Sequence, residues 1–171
     1  KEKNNAHVIK ALFYKWFIQL EKEEDAQLKN ISLMEKEIPA ATEPARSIIQ
    51  SITASMYWQY FQYNRWRFYN RTETVNFKKE DVATWSIDDF HKKISELYLA
   101  SISKEKLLQQ TKLEPYDPII DKGNARQLRP TLYDLLAHRA LQYFQNSERT
   151  VTNPAFAFEI DNTAAFDVAA S

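Results

Sequence analysis

Ala83-Thr84-Trp85-Ser86-Ile87-Asp88-Asp89-Phe90-His91-Lys92-Lys93-Ile94-Ser95-Glu96-Leu97-Tyr98-Leu99-Ala100-Ser101-Ile102 is the stretch whose reading decides the fold. Ser86 is a favoured N-cap residue, and Asp89 stands three positions on, where a capping box needs its acceptor. Trp85 and Phe90 occupy the two ends of a hydrophobic staple. Ile87, Phe90, Ile94, Leu97, Tyr98 and Ile102 then recur at spacings of three and four, the period of a helix with one buried face. A start signal that agrees with the stripe behind it predicts a core helix.

The same period runs outward in both directions. From Asn4 to about Glu21, Ile9, Leu12, Phe13, Trp16, Phe17 and Leu20 share one face, flanked by Val8, Ala11, Tyr14 and Ile18. So wide an apolar arc expects neighbours on two sides. After the charged turn Glu21 to Asp25, a second helix carries Leu28, Ile31, Met34 and Ile38, with Pro39 as its stop. Glu43-Pro44 opens a longer third helix whose stripe is Ala45, Ile48, Ile49, Ile52, Met56 and Tyr60. Its small residues Ser47, Ser51, Ala54 and Ser55 allow a neighbouring helix to approach closely. Residues 67–84 read as a connection. Lys104 to Gln110 reads as a short amphipathic piece, and Pro115, Pro118 and Gly123 mark a long loop from Leu113 to Gln127. Pro130 opens a last helix bearing Leu132, Leu135, Leu136, Ala140, Tyr143 and Phe144. From Thr150 the texture changes, and Ala155-Phe156-Ala157-Phe158-Glu159-Ile160 alternates with period two, a strand signal.

The expected fold is therefore all-α, either an array of helical hairpins or an irregular bundle. Residues 1–149 form the helical domain, and residues 150–171 an extended segment leading toward a further domain of a parent protein. The first residues, Lys1-Glu2-Lys3, and the last, Ala169-Ala170-Ser171, both read as cut from a longer chain.

Composition narrows the chemistry. The 171 residues hold 23 Lys+Arg and 23 Asp+Glu, with a formal net charge of zero. A nucleic-acid binder usually shows a basic excess or stripe, so nucleic acid is not an expected partner. No run approaches the ~18 apolar residues of a membrane span, and no membrane insertion of this segment is expected. Glycine occurs once, at Gly123, and cysteine not at all. Glycine-rich phosphate loops, a Gly-x-Ser-x-Gly nucleophile elbow, thiol catalysis and Cys-based metal sites thus lack their residues. No cofactor is expected.

The densest feature is the run from Tyr57 to Tyr69, with eight aromatics in thirteen residues and arginines interleaved. Trp58, Tyr63, Arg65, Trp66, Arg67, Tyr69 and Arg71 form the candidate binding surface, because one buried stripe cannot absorb rings pointing in every direction. Exposed, such rings beside guanidinium groups stack on sugars or on a partner's side chains. Buried, they are a helix end packed between layers. Other constellations are weaker. Asp134 and His138, four apart, are a carboxylate–imidazole pair at helical pitch. Asp88 and Asp89 lie near His91, but helix N-termini attract acids for electrostatic reasons alone. Asn30-Ile31-Ser32 and Asn70-Arg71-Thr72 match the glycosylation pattern. No catalytic or metal-binding residue is assigned.

Three stretches carry a family likeness: Asn64 to Glu73 (Asn-Arg-Trp-Arg-Phe-Tyr-Asn-Arg-Thr-Glu), Ala83 to Phe90, and Arg129 to Leu141 (Arg-Pro-Thr-Leu-Tyr-Asp-Leu-Leu-Ala-His-Arg-Ala-Leu). With Ala155 to Asn162 behind them, they resemble the N-terminal helical region of bacterial alpha-2-macroglobulin-like proteins. The resemblance covers roughly residues 56–162 and implies a large extracytoplasmic protein that traps proteases. The family's thioester motif, Cys-x-Glu-Gln, has no counterpart here, and no functional residue carries over. What the resemblance implies for this segment is a non-catalytic scaffold or interaction domain. Its partners would be other domains of the parent chain and a protease or peptide. The alternative is a helical module that binds surface glycans or peptides through Trp58 to Tyr69, and a third reading is a hydrolase using acids such as Asp88 or Asp134.

Overall fold

The computed structural model describes residues 10–11, 26–68, 81–120 and 126–146. Within them the chain is all-α. Five α-helices are bounded among the described residues: α1 (Ala26–Ala40), α2 (Ala45–Phe68), α3 (Ile87–Ile102), α4 (Glu105–Gln110) and α5 (Leu132–Phe144). Short 3-10 turns cover Val82–Thr84, Glu114–Ile119 and Arg126–Leu128. The described residues hold no strand, only an isolated antiparallel bridge between Lys112 and Thr131. Of the helix expected over 4–21, Lys10 and Ala11 are helical. The remainder of that helix lies outside the described residues, as do the strand expected at 155–160 and all of segment 150–171.

α2 is the central rod. It packs most extensively against α3, then against α1, and it also meets α5, which in turn touches α3 and α4. Contacts between helices that are not chain neighbours, such as α2 with α5, distinguish a bundle from a solenoid, in which each unit meets only the next. The sequence explains why α2 takes the centre. Its expected stripe is buried in full, and Ser47, Ser51, Thr53 and Ala54 are buried as well. Small side chains on the remaining faces let three helices close on one. Thr53 Oγ1 satisfies itself by donating to Ile49 O at 2.8 Å, so a buried hydroxyl is not left without a partner.

The helix boundaries follow from local chemistry, with corrections at three prolines: Pro39, Pro44, which precedes α2 and does not lie in its first turn, and Pro130. α1 runs one residue past Pro39, because a proline's missing N–H and ring disrupt the turn before it, and one more residue still fits the last turn. Ala41 N–H bonds Glu37 O at 2.9 Å to close that end. α2 begins at Ala45, after a cis Glu43–Pro44 peptide. The Glu43 carboxylate accepts from Ser47 N–H and from Ser47 Oγ, at 3.3 and 2.8 Å. At α3 the expected start is realised in detail. Ser86 Oγ accepts from Asp89 N–H, and Asp89 Oδ2 accepts from Ser86 N–H. The Trp85 and Phe90 rings meet at 5.2 Å. The third correction concerns α5, where Thr131 is the N-cap, reciprocally bonded with Asp134, and Pro130 stands outside the helix. A threonine followed three residues on by an acid is itself a capping signal. The expected loop from Leu113 to Gln127 is partly organised into 3-10 turns, with an ion pair between Arg126 and Asp117 across it.

Phe90 is wholly buried where α2, α3 and Trp85 converge. Phe90→Ala should therefore destabilise the fold by about 3–5 kcal/mol, and Ser86→Ala by about 1 kcal/mol through loss of the cap. Urea denaturation of the two variants measures both. An unchanged midpoint for Phe90→Ala would refute the core assignment.

Candidate functional site

The aromatic run of α2 divides between two environments. Tyr57, Tyr60, Phe61 and Phe68 are buried. Trp58 turns inward too, its ring edge-on to Tyr143 of α5 at 5.3 Å and tilted against Phe61 and His91 at 5.6 and 5.9 Å. Tyr63 and Trp66, by contrast, are 74% and 73% exposed. They are three residues apart and so neighbours on one helical face. The Arg67 guanidinium lies 6.0 Å from the centre of the Trp66 ring, within cation–π reach. Arg65 and Arg67 are both exposed in the last turn of α2, where the helix dipole favours positive charge. Tyr69 and Arg71 lie outside the described residues.

The candidate surface is thus smaller than the sequence run that announced it. Tyr63, Arg65, Trp66 and Arg67 are the outward group, and Trp58 belongs to the ring layer between helices. Two large rings held on a helix and flanked by cations offer flat apolar area at small entropic cost, with charge at the margin. Such an arrangement stacks and docks.

Asp89, Asp134, His91 and His138 have partners elsewhere, and Asp88 is exposed on the first turn of α3. Asp134 Oδ2 accepts from Thr131 N–H at 3.0 Å and from Thr131 Oγ1 at 2.7 Å. It does not orient His138, whose Nε2 lies 3.2 Å from the Gln142 amide nitrogen. Asp89 is similarly committed to Ser86. His91 is buried, with Nδ1 at 2.8 Å from the Tyr143 hydroxyl. No cluster of three or more metal-ligating side chains occurs among the described residues. Asn30, in one of the two glycosylation patterns, is 1% exposed. In the folded chain it is closed to a glycosyl donor, because Asn30 and Ile31 face the core although Ser32 is exposed. Asn70 is outside the described residues.

Two polar constellations escape a sequence reading because they join residues distant in the chain. One links α1, α2 and α3: Lys93 Nζ pairs with Glu35 Oε1 at 2.6 Å, and the Glu35 carboxylate lies near the Tyr57 phenol. Tyr57 lies flat on Trp85, with ring centres 5.3 Å apart. Its phenol is pushed well above the ordinary value, first by burial and then by the nearby Glu35 carboxylate. The other joins Arg139 of α5 to Ser51 and Ser55 of α2. The small residues of α2 were a signal for close approach, but not for a guanidinium between the helices.

Comparison with known proteins finds no matching family, no matching characterised relative and no matching solved structure.

The raised phenols set a pH dependence. Tyr98 is also shifted upward, by burial, with Arg139 pulling the other way. A buried tyrosine that stays protonated when folded ionises near pH 10 once unfolded, so the unfolded state then binds fewer protons. Stability from both phenols should be complete below about pH 10 and fall as the pH rises past it. Urea midpoints measured from pH 8 to 11 should show this decline, shallower in Tyr57→Phe. Parallel declines in the two proteins would contradict it.

Proposed function

We propose that this chain is a non-catalytic helical scaffold and interaction domain of a bacterial alpha-2-macroglobulin-like protease-inhibitor protein. In this reading it works outside the cytoplasm and docks a partner through Tyr63 and Trp66. The partner is another domain of the same protein, or a protease or peptide that the protein holds. The observation that carries the proposal is the exposure of two large aromatic side chains, three residues apart, on a helix whose other described rings are buried or half-buried. Isolated exposed apolar side chains are ordinary, but adjacent rings framed by Arg65 and Arg67 have the composition of an interface hot spot. Of the acids offered for hydrolysis, Asp134 is committed to a helix cap and Asp88 is exposed on the first turn of α3, which favours a structural role over hydrolysis. The family assignment rests on the sequence resemblance.

A second reading has an observation of its own. Tyr63 and Trp66, with Arg67 over the Trp66 ring, also suit the face of a sugar. The surface-glycan module remains the alternative for that reason.

Calorimetric titration of the 171-residue chain with the other domains of its parent protein separates the readings. Tyr63→Ala/Trp66→Ala should weaken that association by at least about tenfold, since truncating a hot-spot ring typically costs more than ~1 kcal/mol. An unchanged Kd would remove this surface from the interface. Tryptophan fluorescence that stays flat across neutral and acidic oligosaccharides would eliminate the glycan reading.

A further inference from the structure

Between α2 and α5 lies a partly open cleft of about 70 Å³. Its walls are mainly aliphatic: Ile48 and Ile52 from α2, and Leu132, Leu135 and Leu136 from α5. Ser51 and Arg139 are its polar members. Arg139 is held in a defined pose, with Nε donating to Ser51 Oγ and Nη2 to Ser55 Oγ, each at 3.0 Å. Ser51, which accepts from Nε, is itself a wall residue, so the base of the guanidinium lies beside the cleft wall.

Among the described residues nothing compensates the charge of that guanidinium. Both its acceptors are neutral hydroxyls, and no carboxylate pairs with it among the described residues. A guanidinium has five N–H donors in a rigid fork shaped for a carboxylate. Here the serines use two, and the remaining donors on Nη1 and Nη2 have no protein acceptor among the described residues. The group is half-buried, where a cation gains more from an anionic partner than it would in open water. Its field reaches into the bundle, where it favours ionisation of the buried Tyr98 phenol against the opposing effect of burial. Size limits the occupant. A closed apolar cavity of roughly 150 Å³ admits the six carbons of benzene, so a cleft about half as large encloses about three carbons, and its open side leaves room for a fourth.

We propose that this cleft binds a short branched aliphatic carboxylate, its alkyl group against the isoleucines and leucines and its carboxylate on the free donors of Arg139. Charge complementarity selects the acid, and the aliphatic walls select the alkyl chain. The serines fix the plane of the guanidinium before the ligand arrives, which limits the ordering cost of binding. This site is independent of Tyr63 and Trp66, and its failure would leave the docking surface untouched.

The test uses the full chain, labelled at isoleucine and leucine methyls, in NMR titrations with 3-methylbutanoate, 3-methylbutan-1-ol and acetate. For so small a ligand the expected Kd lies at about 1–10 mM. Saturable shifts should centre on Ile48, Ile52, Leu132, Leu135 and Leu136. The uncharged alcohol and the chainless acetate should each bind at least about tenfold more weakly. Arg139→Gln should abolish the preference for acid over alcohol. If that variant does not fold, the three ligands on the unaltered chain decide alone. No saturable shift up to about 50 mM, an acid-to-alcohol ratio below tenfold, or a preference that survives in a folded Arg139→Gln chain would each overturn the proposal.

Discussion

Aromatic packing between α2 and α3 is the constraint on which the bundle depends. Phe61 and Phe68 of α2 meet Phe90 at 5.5 and 4.9 Å, and Trp85 bridges from Phe90 to Tyr57 at 5.2 and 5.3 Å. The layer continues through His91 and Trp58 to Tyr143, and from Tyr143 to Tyr98. Tilted, edge-on and offset contacts of this kind add to the large area each ring buries. Because the rings come from α2, α3, α5 and the turn before α3, the layer fixes all of these together. A ring lost from the middle leaves neighbours on several elements without contact, which the close-packed interior cannot recover by a local shift.

Polar groups are used sparingly and at specified places. Two capping boxes start α3 and α5, and the second relies on Asp134, an aspartate that sequence alone also offers as a catalytic group. Long-range polar ties then set how helices lie against one another: Glu35 with Lys93 and Tyr57 for α1, α3 and α2, and Arg139 with Ser51 and Ser55 for α5 and α2. Partly buried ties like these add less net stability than the ring layer, since each charge gives up hydration to form them. They do add direction, which apolar packing does not.

A fold built this way suits the role of a frame. The ring layer makes the inner side of α2 rigid, and the outer side of its last two turns carries Tyr63 and Trp66 on that rigid support. Side chains held on a helix lose little freedom when a partner covers them, so the support contributes to binding without touching the partner. The Arg139 cleft draws on the same logic. Ser51 and Ser55 are small enough to admit the guanidinium between two helices and polar enough to hold it.

By itself the sequence determined the helical class and most of the element starts and core stripes within the described residues. Those properties are local, because a cap and a 3.6-residue period act within a few turns of chain. The Ser86 start, the stripe of α3 and the crowded stripe of α2 were legible on that ground. Pro39, Pro44 and Pro130 misplaced three boundaries by one or two residues, since a proline constrains the chain without saying on which side of it a helix begins or ends. Only the tertiary structure decided which rings of the Tyr57 to Tyr69 run face water. Periodicity ranks the faces of a helix, but α3 and α5 choose which of them to cover, and they cover Trp58 while leaving Trp66 open. The burial of Asn30, the Arg139 clamp and the Glu35–Tyr57–Lys93 link belong to the same class. Each depends on distances between residues that the chain itself does not bring near.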